Sequence, residues 1–228
     1  MSNNPIPTFD EWVSYCFTKG RADFNTLEGK SWRYNARRLE RYTLLPPDVL
    51  ADYAIRLFSD PFRLVNNFTD ERIADGAWFL FSCESGYPNA WFSKQVAFDR
   101  RIEVMRSIVD LYVNCFDLVC NRRGADPDGF YTNTLPVDIA VGMIWDMQSG
   151  IDCAMHSGLE GSGFEVLEAA LFRCRTASCK GSSLHGLGHL VDAYPDRARS
   201  MIDRFLTLPN QPEHLREYAL EARTGRIL

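Results

Sequence analysis

A chain of 228 residues and 26.1 kDa, with 46% hydrophobic and 24% charged residues, is long enough to bury a sizeable core and too apolar to remain disordered. Its formal charge of −5 and pI near 5.4 weigh against a general nucleic-acid binder, which needs positive charge to displace counterions from phosphates. The longest apolar runs, such as residues 77–81, fall far short of the roughly 20 residues of a membrane helix, so no membrane span is expected.

The first ten residues are polar and carry Pro5 and Pro7, with neither a basic leader nor an apolar stretch, so no signal peptide is expected and the cytosol is the expected compartment. Seven cysteines (Cys16, Cys83, Cys115, Cys120, Cys153, Cys174 and Cys179) are dispersed rather than densely spaced, which predicts reduced thiols, several of them acting as small hydrophobes on apolar helix faces. Asn67-Phe68-Thr69 matches a glycosylation sequon, which has no meaning in that compartment.

In chain order, Thr8 or Asp10 caps a first helix carrying Trp12 and Phe17 that ends at Gly20. Pro46-Pro47-Asp48 opens a second, with Leu50, Ala54, Leu57 and Phe58 on one face and Asp60-Pro61 as its stop. Thr69 caps a third, lined by Ile73, Ala77, Leu80 and Phe81, before a break at Gly86, Pro88 and Asn89. Residues 96–120 give the strongest helical period: Ile102, Met105, Val109, Tyr112, Phe116 and Val119 recur at three- and four-residue spacing. The polar loop 121–135 is the expected boundary between halves 1–125 and 136–228 of a single domain. A helix follows Pro136 with Val137, Val141, Ile144 and Trp145 on one side, and the glycines at 158, 161 and 163 interrupt the chain again.

Four amphipathic segments close the sequence. Phe164, Leu167, Leu171 and Cys174 mark the first; Leu184, Leu187, Val191 and Tyr194 the second; Ala198, Met201, Ile202 and Phe205 the third; Leu215, Tyr218, Ala219 and Ala222 the fourth, with Pro195, Pro209, Pro212 and Gly225 as stops. With no alternating strand of useful length, the expected fold class is all-α, a multi-helix bundle or a short helical stack. Alternate members of the last four segments lie about 32 residues apart, and over residues 164–225 the chain resembles HEAT-like helical hairpin repeats. That resemblance implies a curved stack used as a binding surface rather than a particular chemistry, and a plain bundle fits the same pattern.

Two segments carry candidate sites. In His185-Gly186-Leu187-Gly188-His189 two histidines four apart project from one helix face and can reach one metal, with Cys153 and His156 as further ligands if their loop folds against the helix. A zinc protease would place Glu where Gly186 stands, so that chemistry is not expected. The alternative is structural: the glycines let another helix approach, and the histidines bond to backbone or to acids such as Asp192. The second segment holds Trp32, Arg33, Arg37 and Arg41, whose arginines form one helical row beside aromatic rings, suited to phosphate, RNA or an acidic partner. Its alternative is a solvated basic face whose arginines pair with the protein's own carboxylates. The phosphate-loop, nucleophile-elbow and Cys-x-x-Cys motifs are missing from the sequence. The functional expectation is therefore a non-catalytic helical scaffold that binds a protein partner and needs no cofactor. The alternative is a metal-dependent enzyme using His185 and His189, with zinc as the metal.

Overall fold

The computed structural model describes residues 5–25, 32–82, 84–120, 135–147 and 155–227, and their side chains other than those of residues 32–35, 156 and 157. Among these residues the structure is all-α, with no strand. The elements are α1 (Phe9–Tyr15), α2 (Arg21–Asn25), α3 (Trp32–Thr43), α4 (Pro47–Ser59), α5 (Phe62–Asn67), α6 (Asp70–Phe81), α7 (Tyr87–Trp91), α8 (Phe98–Leu111), α9 (Asp117–Val119) and α10 (Pro136–Gly142). They are followed by α11 (Glu160–Arg173), α12 (Ala177–Leu190), α13 (Pro195–Leu206) and α14 (Glu213–Arg223). No described helix is long and apolar enough to cross a membrane.

Local chemistry accounts for most of the starts. Thr8 builds a capping box on α1: its hydroxyl accepts from the Glu11 N–H at 3.3 Å, and the Glu11 carboxylate accepts the Thr8 N–H at 2.8 Å. Thr69 caps α6 through the Arg72 N–H, and proline occupies the first turn of α4, α10 and α13. Pro195, expected as a stop, is thus the first residue of the next helix, where its missing N–H costs nothing.

The expected end of the first helix at Gly20 is not observed. The chain winds through a π turn, Cys16–Gly20, directly into α2, and a Cβ at Gly20 would lie 2.5 Å from the ring of Phe79. Gly20 is there for a close approach to α6, not to terminate a helix. A second π turn, Tyr112–Phe116, joins α8 to α9. Within α8 the buried stripe is Val104, Met105, Ile108 and Leu111, while Ile102 and Val109 sit at its margin.

Buried side chains from Phe9 to Ala222 form one contiguous core. Within it α4 packs on α8, α6 on α10, and α8 on α11, so helices before and after the expected boundary face each other directly. Of that boundary loop only Leu135 falls among the described residues. The polar tips of the core aromatics are used: Trp12 donates its indole N–H to Tyr87 Oη at 3.0 Å, and Tyr87 donates to the Tyr42 carbonyl at 3.0 Å.

At the C-terminal end α11 pairs with α12, and α13 with α14. The second pair lies on the first, α14 against α12 and α13 against α11. Arg204 bonds Glu168 at 2.8 Å between α13 and α11, and Arg223 forks onto Asp203 between α14 and α13; both pairs are surface ones and contribute little to stability.

Candidate metal centre

Helix α12, Ala-Ser-Cys-Lys-Gly-Ser-Ser-Leu-His-Gly-Leu-Gly-His-Leu, is buried nearly all round because small residues let its neighbours come close. A Cβ at Gly186 would meet the Trp145 ring and Leu167 at 2.8 Å, and one at Gly188 would meet Ile227 at 2.8 Å and the Ala222 Cα at 3.3 Å. The two glycines therefore allow the end of α10, α11 and the C-terminal segment to close on α12. Ser183 donates to the Leu167 carbonyl at 2.7 Å, tying α12 to α11.

A directed chain of hydrogen bonds fixes the other wall. The Trp145 indole N–H donates to Tyr112 Oη at 3.0 Å, Tyr112 to Ser182 Oγ at 2.8 Å, and Ser182 to the Val141 carbonyl at 2.6 Å. Burial pushes the Tyr112 phenol well above its ordinary value, so it remains a donor. This chain holds Trp145 between the second π turn and α12, and the next residue, Asp146, lies beside the two histidines.

His185 and His189 stand four residues apart with Nε2 atoms 3.0 Å from one another, and Asp146 Oδ1 lies 3.7 Å from the first and 3.5 Å from the second. The triangle these three atoms form has a circumradius of about 2.0 Å, and its mean side is about 3.4 Å. Zinc binds nitrogen and carboxylate oxygen at about 2.0–2.2 Å, and the edge of a tetrahedron of that size is about 3.4 Å. The side chain of His185 is 6% exposed, those of His189 and Asp146 43% and 38%, so the cluster is closed on the α14 side and open to solvent on the other.

On the closed side His185 Nδ1 meets Tyr218 Oη of α14 at 2.5 Å, with the two rings nearly parallel. With Nδ1–H donating to the phenol, Nε2 keeps its lone pair for a cation, the second-shell arrangement that orients metal-bound histidines. Burial, reinforced by His189 and partly offset by Asp146, holds the His185 imidazole below its ordinary value, so the ring is neutral at neutral pH.

Of the other expected ligands, Cys153 and the side chain of His156 lie outside the described residues. Asp146 was not foreseen, and the acid named from the sequence, Asp192, lies beside Gly225.

The basic segment is placed on α3. The side chains of Trp32 and Arg33 lie outside the described residues. Arg38 turns inward to form a bidentate pair with buried Asp23, which also accepts from Tyr15 Oη at 3.0 Å. Tyr42 stacks on Tyr15 with centroids 4.0 Å apart, and Arg41 lies 3.9 Å from Glu11. Arg37 and Arg41 do reach the rim of a groove of about 780 Å³, together with Ile6, Glu40, Leu44 and Leu45.

Comparison with protein-family models, with curated proteins and with solved structures finds no match to this chain.

Proposed function

We propose that the chain is a divalent-metal protein in which Asp146, His185 and His189 hold a zinc-class cation and leave a coordination position open to water or a substrate oxygen. The observation that carries this reading is the convergence of Nε2, Nε2 and Oδ1 on a point about 2.0 Å from each. Three protein ligands with an exposed fourth position are the pattern of catalytic rather than structural zinc. Such a cation lowers the pKa of bound water to about 7 and polarises a carbonyl or phosphoryl oxygen, so hydrolysis is the reaction class. Tyr218 supports it by fixing the tautomer of His185.

Elemental analysis of the purified, untagged protein, repeated with His189→Ala and Asp146→Ala, tests this. Metal close to one equivalent higher in the wild type than in either variant is the expected result. Equal metal content in all three contradicts it.

A second reading, binding of a protein partner through a HEAT-like stack, is favoured by the packing of α13 and α14 on α11 and α12 as successive hairpins. The groove beside Arg37 and Arg41 supplies an apolar anchor, with Leu44 76% exposed. The free thiols of Cys16, Cys115, Cys120, Cys174 and Cys179 fit a reducing compartment such as the cytosol. A partner captured by the wild type and lost with Leu44→Asp supports this reading; unchanged capture removes the groove from it.

A further inference from the structure

A second group of donors lies at the start of α12, with the histidines toward its end. Asp117, Cys174 and Cys179 are all buried, and one carboxylate oxygen and the two sulfurs lie within 4.8 Å of one another. The Cys179 thiol is also hydrogen-bonded to Cys120, which is half-buried.

Burial of cysteine as a small hydrophobe does not by itself bring two thiols and a carboxylate to one point. Asp117 Oδ1 accepts the N–H groups of Arg175 and Thr176, each at 2.8 Å, which anchors the start of α12 and leaves Oδ2 facing Arg175 Nε at 3.6 Å. Thr176 Oγ1, in a residue only 7% exposed, is buried with the Cys179 thiol as its neighbour. A carboxylate, two thiols and a hydroxyl whose neighbour is a thiol are thus gathered in one dry place, a donor set that a cation can join.

The geometry points to a buried site for a thiophilic divalent cation, zinc or cadmium by class, ligated by Asp117, Cys174 and Cys179, with Cys120 as a hydrogen-bonding partner of the Cys179 thiol behind them. Buried thiolate sulfur is the soft donor that zinc and cadmium favour, in contrast to the open nitrogen–oxygen set at Asp146. Binding exchanges the thiol protons for the metal: each thiol that ligates releases one proton to solvent and forms one metal–sulfur bond. The negative charge left over faces Arg175 and Lys180, whose Nζ is held nearby by Gln211 at 3.0 Å. The site pins the α11–α12 connection to α9, which fixes the helix that carries His185 and His189. It stands on its own residues, so either site can fail without the other.

The test is titration of the full-length protein with Co²⁺ followed by absorption spectroscopy, with zinc content measured in parallel. A near-ultraviolet sulfur-to-cobalt charge-transfer band in the wild type is expected, and it should persist in Asp146→Ala/His189→Ala. The band should vanish in Cys174→Ser/Cys179→Ser, which should hold one equivalent of zinc fewer, and Cys120→Ser should weaken cobalt affinity at least about tenfold. Because the wild-type spectrum needs no variant to fold, absence of the band at saturating cobalt overturns the proposal. So does a band that survives loss of Cys174 and Cys179.

Discussion

Replacing Tyr218 with Phe removes one oxygen and little else, because the ring is buried between α12 and α14 and phenylalanine fills the same space. The oxygen lost is the one 2.5 Å from His185 Nδ1, in a residue whose side chain is 6% exposed, so water cannot readily replace it. Leaving a buried polar group unsatisfied costs about 1–3 kcal/mol. In a chain of this length that corresponds to a fall in Tm of roughly 2–12 °C, at about 2–4 °C per kcal/mol. With metal bound, a second effect appears: loss of the partner that orients a ligating imidazole weakens metal affinity about 10–100-fold. Urea denaturation in the presence of a chelator reads the first effect, and zinc competition against a chromophoric chelator reads the second. A Tyr218→Phe protein within about 0.5 kcal/mol of wild type, and within about twofold in zinc affinity, would refute both the hydrogen bond and its role at the centre.

Gly186→Ala places a Cβ 2.8 Å from the Trp145 ring. The helical gain of roughly 1 kcal/mol over glycine is outweighed by overpacking of about 1–3 kcal/mol, and displacement of Trp145 shifts Asp146, so reduced stability and weaker zinc binding are expected together. Gly76→Ala is a sharper steric test away from the site, since its Cβ would fall 2.1 Å from the buried Phe17 ring; a loss of at least about 2 kcal/mol by denaturant titration is expected. The third case concerns pH. Glu84 has one carboxylate oxygen buried without a partner, and burial, opposed by Arg21 and reinforced by Asp75, pushes its carboxyl above the ordinary glutamate value. The folded state therefore holds this proton more tightly than the unfolded state. The stability Glu84 contributes is fully present below the ordinary glutamate range and is lost as pH rises through the raised folded value. Glu84→Gln should thus gain on wild type in denaturation midpoint between about pH 4 and about pH 7; a constant difference across that range would contradict the burial argument.

Much of the helical framework is legible in single residues. Thr8, Thr69, Pro47 and Pro136 announce helix starts because capping and proline chemistry act within one turn. The π turns at Cys16–Gly20 and Tyr112–Phe116 leave no such mark, and Gly20 reads as a terminator until Phe79 is seen against it. The pairing of His185 with His189 follows from their four-residue spacing on one helix. Asp146 does not, because it lies 39 residues before His185 and reaches it only through the packing of Trp145 on Gly186. In the same way Cys120, Cys174 and Cys179 look scattered along the chain and meet only where α9 packs beside the start of α12. The inward turn of Arg38, beside the arginine row of α3, is hidden for a related reason: it follows a buried carboxylate, Asp23, and no local pattern reveals that Asp23 is buried.

The central claim is that one cation sits among Asp146, His185 and His189. Anomalous scattering at the zinc absorption edge, from crystals of the zinc-loaded protein, tests it most directly. The account predicts a peak about 2.0–2.2 Å from His185 Nε2, His189 Nε2 and Asp146 Oδ1. No peak among these atoms in the zinc-loaded crystal, with the two Nε2 atoms still in direct contact at about their present 3.0 Å, would contradict it.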